Sequence, residues 1–144
     1  MQKPLTKNEV IFKSTSPWNN AYQGQDKKVL FVCSAGILRS ATGARLYAHK
    51  YNTRCAGSEI YALIPVTADL LLWADQVVFV NAENYISVSR KFDLDSFDCS
   101  FKVLRIPDQF NHMEVGLVQA FNDQYEEVDP VLYNRIVNKV NLND

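Results

Sequence analysis

Residues 29–46 read "VLFVCSAGILRSATGARL". An apolar, β-branched run of four residues stops at Cys33, three small residues follow, and a helical pattern opens at Arg39 and Ser40. A short run of Val, Leu and Phe of this kind is predicted to be a buried strand. Downstream, "SATGARLYAHKY" at 40–51 places Ala41, Ala44, Tyr47, Ala48 and Tyr51 at the i, i+3, i+4 spacing of an amphipathic helix. The stretch is therefore a strand, a tight loop and a helix, with a cysteine and an arginine at the two ends of the loop.

Similar units recur along the chain. "TRCAG" (53–57), "QVVFV" (76–80) and "FKVLRI" (101–106) are predicted strands. Between them, "PVTADLLLWA" (65–74) carries helix-start signals at Pro65 and Thr67, and "NAENYISVSRKF" (81–92) is a helix with Asn81 as its cap. The acidic "DLDSFDCS" (93–100) is a loop, and Pro107 ends the fourth strand. Residues 111–122 read as helical, and Asp129 followed by Pro130 is the cap and first turn of a last helix running to about Asn138. Short strands alternating with helices imply βαβ units and a parallel sheet. The expected fold is a three-layer α/β/α sandwich on a four-stranded parallel sheet, spanning residues 28–144. Residues 1–27 form an N-terminal extension, with "EVIFK" (9–13) as a short strand.

A chain of 144 residues that is 47% hydrophobic and 22% charged makes one domain with a sizeable core. A net charge of −1 gives no reason to expect nucleic acid or an acidic membrane as partner. The first twenty residues mix charge and polarity unlike a secretory signal, and no apolar stretch approaches the length of a membrane span. Three cysteines at irregular spacing fit reduced thiols in a cytoplasm better than a disulfide framework. A monomer is expected.

The loop carries the chemistry. Gly36 permits the positive φ that turns backbone N–H groups inward, and a helix begins directly beneath. Convergent amides, the positive end of a helix and a guanidinium able to hold two oxygens make an anion site. The same surroundings favour a cysteine's thiolate form. A nucleophilic sulfur on the floor of a phosphate-shaped cradle points to attack on phosphorus and a phosphocysteine intermediate. Cys99 and Arg105 show the same spacing, but on the extended run "CSFKVLR" their separation would be near 20 Å at about 3.3 Å per residue, too far to share a ligand.

"VLFVCSAGILRS" resembles the signature of low-molecular-weight protein-tyrosine phosphatases, a strand running into Cys-x5-Arg-Ser. The resemblance extends to "CAGSE" (55–59) and "TADLLLWADQVVFV" (67–80), and covers residues 28 to about 120. It implies Cys33 as nucleophile, Arg39 as phosphate-binding arginine and Ser40 as the hydroxyl that bonds the thiolate. Ser34, Ala35, Gly36, Ile37, Leu38, Arg39 and Ser40 would together bind the phosphate. Ala35-Gly36 stands where the family commonly has Gly-Asn, and Leu38 where it often has a second cysteine. The implied reaction is hydrolysis of phosphotyrosine or a small aryl phosphate to inorganic phosphate, with neither metal nor organic cofactor.

Phosphoester cleavage needs a proton for the leaving oxygen. Asp108 in "LRIPDQF" follows the fourth strand, so its loop opens on the edge that carries Cys33. It resembles the Ile-Pro-Asp segment of a bacterial branch of predicted small tyrosine phosphatases. Asp129 in "VDPVLY" resembles the Asp-Pro acid of better-known members and is the alternative, although a helix cap explains it as well. Asp108 is favoured. His112 is read as a solvated histidine, Trp73 as core and Tyr125 as part of a solvated acidic linker. Trp18, Tyr22, Tyr85 and Phe110 are candidates to wall a pocket for a phenyl ring. Two other functions share the loop: arsenate reduction, which would need Cys55 and Cys99 as a thiol relay, and a module that only binds phosphate or phosphopeptide.

Overall fold

The computed structural model describes residues 24–142. "EVIFK", Trp18 and Tyr22 lie outside the described residues. Four strands, β1 (Lys28–Cys33), β2 (Asn52–Gly57), β3 (Gln76–Phe79) and β4 (Ser100–Val103), form one parallel sheet in the order β2-β1-β3-β4. The helices are α1 (Arg39–Leu46), α2 (Ala68–Trp73), α3 (Ala82–Ser89), α4 (Val115–Gln124) and α5 (Pro130–Leu142), with a 3-10 turn at Leu94–Ser96. This is the expected three-layer α/β/α sandwich.

Strand β1 is central because both of its faces are apolar. Val29, Phe31 and Cys33 point into a core shared with α1, α4 and α5, while Leu30 and Val32 face a second core under α2 and α3. Val29, Leu30, Phe31 and Val32 are all fully buried. Each such side chain contributes about 1.5–3 kcal/mol of transfer free energy. On the first face Phe31, Tyr47, Phe121 and Tyr125 pack edge to face or stacked, with ring centroids 5.0–6.3 Å apart. Tyr125 therefore differs from its expected place in a solvated linker. Its ring belongs to this cluster, its hydroxyl donates to Gln76 Oε1 at 2.7 Å, and burial pushes the phenol's pKa well up.

Element ends differ from expectation where tertiary bonds take over. Helix α1 stops at Leu46 rather than 51 because the chain turns at 47–50, where Ala48 and Lys50 carbonyls accept from Gly24 and Asp26 N–H. Pro65 is not in α2's first turn. Thr67 is the cap, with its hydroxyl accepting from Leu70 N, while Pro65 bridges to Gly57. Asn81 caps α3 as expected, its Oδ1 accepting from Glu83 N. Trp73 is half-buried and lies 4.7 Å from the Arg54 guanidinium, itself buried in β2. No helix among the described residues is long and apolar enough to cross a membrane.

The strand order fixes where a ligand can bind. The chain leaves β1 through α1 to β2 on one side, then crosses back through α2 to β3 on the other. The carboxyl end of β1 is thus the point where the winding reverses, the place where parallel sheets open a crevice. Cys33 is the last residue of β1.

Candidate active site

The loop between β1 and α1 is built by turning its carbonyls outward. Cys33 O, Ser34 O and Ala35 O accept from the N–H groups of Ser58, Glu59 and Leu63, all on the segment after β2. The Gly36 carbonyl faces Cys55 Sγ at 3.7 Å, and the Leu38 carbonyl accepts from Thr42 N and Thr42 Oγ1. No peptide bond among the described residues is cis. In a trans peptide the N–H points opposite to the C=O, so the amides of Ser34, Ala35, Gly36, Ile37 and Arg39 turn toward the concave side. The Gly36 amide confirms the sense: it donates to Cys33 Sγ at 3.2 Å.

Gly36 makes this path feasible. Its φ is +76°, and a Cβ there would lie 2.8 Å from the Ala56 carbonyl carbon and the Gly57 nitrogen. Alanine at 36 would combine left-handed strain of about 1–3 kcal/mol with a clash against backbone. Gly36→Ala is expected to lower the thermal midpoint of unfolding and to weaken inorganic phosphate binding at least about tenfold, since roughly 1.4 kcal/mol is a factor of ten. Unchanged values in a melting curve and a phosphate titration would show that the loop does not depend on this conformation.

The structure places each expected residue as follows. Cys33 is 2% exposed, with Sγ 3.0 Å from Ser40 Oγ. Ser40 is fully buried beneath the sulfur at the start of α1. A cavity of about 170 Å³ opens above, bounded by Cys33, Ser34, Ala35, Leu38, Arg39, Tyr61 and Asp108. The Arg39 side chain is 4% exposed and each of its nitrogens is engaged. Nη1 donates to Ile106 O at 2.8 Å, Nη2 donates to Ser34 Oγ at 3.3 Å, and Nε lies 3.7 Å from Asp108 Oδ1. A guanidinium held at three points is a fixed positive plate beside the sulfur.

Asp108 reaches the cavity because β4's extended course continues past its ladder. Leu104 N and Ile106 N donate to the carbonyls of Phe79 and Val80, and buried Ile106 pins the chain before Pro107 turns it. The Ile106 carbonyl also accepts from Asn81 Nδ2 at 3.3 Å, tying the arginine, the α3 cap and the acid loop to one oxygen. Thr42 Oγ1 holds the far side of that loop. It donates to Leu38 O, accepts from Met113 N at 2.9 Å and meets His112 Nδ1 at 3.2 Å. His112 is exposed, as expected of a solvated histidine, yet it also docks the loop that carries Asp108.

Asp129 is occupied elsewhere: its Oδ2 accepts from Leu132 N at 3.1 Å as the cap of α5. Neither Asp129, Tyr85 nor Phe110 belongs to the cavity lining. Tyr85 packs edge-on against Phe79, and Phe110 packs on the core beside Gly116. The aromatic wall is instead Tyr61, 70% exposed on the loop after β2. Its signal in the sequence was its position four residues after Gly57, on the same sheet edge as the loop. Asn81 and Asn84, which bind the site from α3, had no local signal beyond a helix cap.

Cys55 and Cys99 stand on opposite edges of the sheet, roughly 14 Å or more apart at about 4.8 Å per strand. Burial, with Asp98 and Asp75 nearby, raises the Cys99 thiol's pKa. Among the described residues no group of three or more His, Cys, Asp or Glu is placed to hold a metal ion. Comparisons of the chain with protein-family models, curated proteins and solved structures find no match.

Proposed function

We propose that this chain is a cysteine-dependent phosphatase of the low-molecular-weight tyrosine phosphatase type, hydrolysing phosphotyrosine or small aryl phosphates. The observation that carries the reading is the loop itself: its carbonyls bond away from the cavity, the Gly36 amide donates to Cys33 Sγ, and the pinned Arg39 guanidinium lines the same cavity. A tetrahedral dianion fits that set of donors, and the sulfur lies beneath the place phosphorus would occupy.

In the first step the Cys33 thiolate attacks phosphorus. The bond from phosphorus to the aryl oxygen breaks, and the leaving oxygen takes the proton of the Asp108 carboxyl group. Arg39 and the loop amides hold the equatorial oxygens as charge spreads over them. In the second step the Asp108 carboxylate takes a proton from water, whose oxygen attacks phosphorus. The phosphorus–sulfur bond breaks, releasing inorganic phosphate and regenerating the thiolate. Tyr61 and Leu38 at the rim offer apolar surface to an aryl ring. Turnover requires a reduced sulfur, which suits a cytoplasmic setting, and no residue from a second copy is needed by this scheme.

Two observations weigh against the other readings. A thiol relay for arsenate is poorly served by a Cys99 on the far edge of the sheet and at its amino end. A carboxylate on the cavity lining opposes a bound anion, so Asp108 favours catalysis over a module that only binds phosphate. The test is release of a phenol and inorganic phosphate in equal amounts from an aryl phosphate by the reduced full-length protein. Binding of phosphate without any turnover would reduce the protein to a binding module.

A further inference from the structure

We infer that Asn84, on α3, is a positioning residue that aims the Ser34 hydroxyl into the cavity as a side-chain donor to a bound phosphate oxygen. The inference rests on the phosphate site proposed above and adds a specific recognition element to it.

A serine hydroxyl has one proton to give and two lone pairs to offer. Ser34 Oγ receives Arg39 Nη2 at 3.3 Å and Asn84 Nδ2 at 3.2 Å. An arginine can only donate, so the first contact occupies one lone pair whatever else happens. The second contact depends on which way the Asn84 amide faces, and the neighbouring residues decide that. Asn84 Nδ2 also reaches Ser58 Oγ at 3.1 Å, and Ser58 Oγ gives its proton to Glu59 Oε1 at 3.4 Å. Ser58 therefore presents a lone pair to Asn84, which must offer an N–H in return. The same NH₂ group sends its other proton to Ser34.

Burial supports this sense. Asn84 is 1% exposed, and among the described residues its Oδ1 has no hydrogen-bond partner. The opposite orientation would bury an NH₂ group with no acceptor, and orphaned buried donors are rarer than under-used carbonyls. The chain of bonds thus has one direction: Glu59 accepts, Ser58 and Asn84 pass the polarity on, and Arg39 closes it as a pure donor. Both lone pairs of Ser34 are used. Its remaining proton points away from Asn84 and Arg39, and Ser34 lines the cavity.

The backbone of the same segment is clamped from α3 as well. The Ser58 carbonyl accepts from Lys91 Nζ at 2.7 Å and from Ser87 Oγ at 3.3 Å. Asn84, Ser87 and Lys91 lie on one face of the helix and its C-terminal turn, at i, i+3 and i+7. The hydroxyl's direction is therefore held by a rigid support rather than by a mobile loop.

The test is calorimetric titration of inorganic phosphate into the full-length reduced protein and its variants. Hydrogen bonds to charged groups are worth enough that Ser34→Ala should raise the dissociation constant about tenfold. Asn84→Ala should weaken binding in the same direction. Asn84→Asp, which keeps the shape but can only accept, should pull the Ser34 proton out of the cavity and do the same. In the Ser34→Ala background Asn84→Ala should not weaken binding further, which a general loss of structure would not reproduce. Unaltered binding by Ser34→Ala or Asn84→Ala would overturn the relay, as would a further loss from Asn84→Ala in the Ser34→Ala background. A parent protein that does not bind phosphate would overturn the site itself, and the relay with it.

Discussion

Cys33→Ser is expected to lower aryl phosphate turnover by at least about 10⁴-fold, the scale of loss when a covalent nucleophile is removed. Phosphate affinity should be kept. The contacts around residue 33 explain both halves of this result. The Gly36 amide at 3.2 Å and the Ser40 hydroxyl at 3.0 Å can serve a serine oxygen in place of sulfur, so the loop keeps its path. The outward carbonyl bonds to Ser58, Glu59 and Leu63 do not involve the side chain at all. What disappears is the nucleophile: among the described residues no histidine or carboxylate bonds to the side chain at 33 to take a serine's proton, whereas thiols in general ionise far more readily. The Arg39 guanidinium and the loop amides are untouched by the change, which is why binding should not suffer. Steady-state assays paired with phosphate titration check the two halves separately. Residual turnover within tenfold of the parent would mean that Cys33 does not form the covalent bond.

Asp108→Asn is expected to lower turnover by about 10²–10⁴-fold, the usual contribution of a positioned proton donor. The size of the loss should depend on the leaving group. A nitrophenolate departs without much help, so the variant should be close to the low end on p-nitrophenyl phosphate. An unsubstituted phenolate needs the proton, and there the loss should be largest. Asparagine matches the shape of aspartate, and the acid loop is held by Ile106, Thr42 and Met113 rather than by the carboxylate, so folding should be preserved. Asp129→Asn is the matched control. Asparagine is as good a helix cap as aspartate, so both α5 and turnover should be unaffected. Equal losses at 108 and 129, or a loss independent of the leaving group, would contradict the assignment.

Much of the fold was legible because β1 is an uninterrupted apolar run and the strands alternate with helical patterns. Those features report burial on both faces of a sheet, and such a sheet is parallel. The loop was legible for a related reason: Cys33, Gly36, Arg39 and Ser40 lie within eight residues, so their geometry is local. The parts that escaped are the ones set by distant partners. Asn84 meets Ser34 across fifty residues of chain, and Arg39 meets the Ile106 carbonyl across sixty-seven. A carbonyl acceptor has no residue type to betray it. Tyr125 was read as solvated because its neighbours in sequence are acidic, yet its ring meets Phe31 and Tyr47 from the opposite end of the chain. Tyr61 sits among exposed residues and is placed over the cavity only by the path of the segment after β2.

Asp108 was favoured over Asp129 because its loop follows the fourth strand, and that loop brings Asp108, unlike Asp129, to the cavity. Because β4 lies beside β3 and runs parallel to β1, whatever follows Ile106 emerges on the edge where Cys33 ends. The residue after the turn-forming Pro107 is then carried over the cavity.

Rapid acid quench of an aryl phosphate reaction, followed by mass analysis of the protein's peptides, tests most directly whether sulfur carries the phosphoryl group between donor and water. One added phosphoryl group on the peptide containing Cys33, formed and lost at rates that match turnover, is the predicted result. Turnover with that peptide unmodified at every quench time, or with the group on another residue, would contradict it.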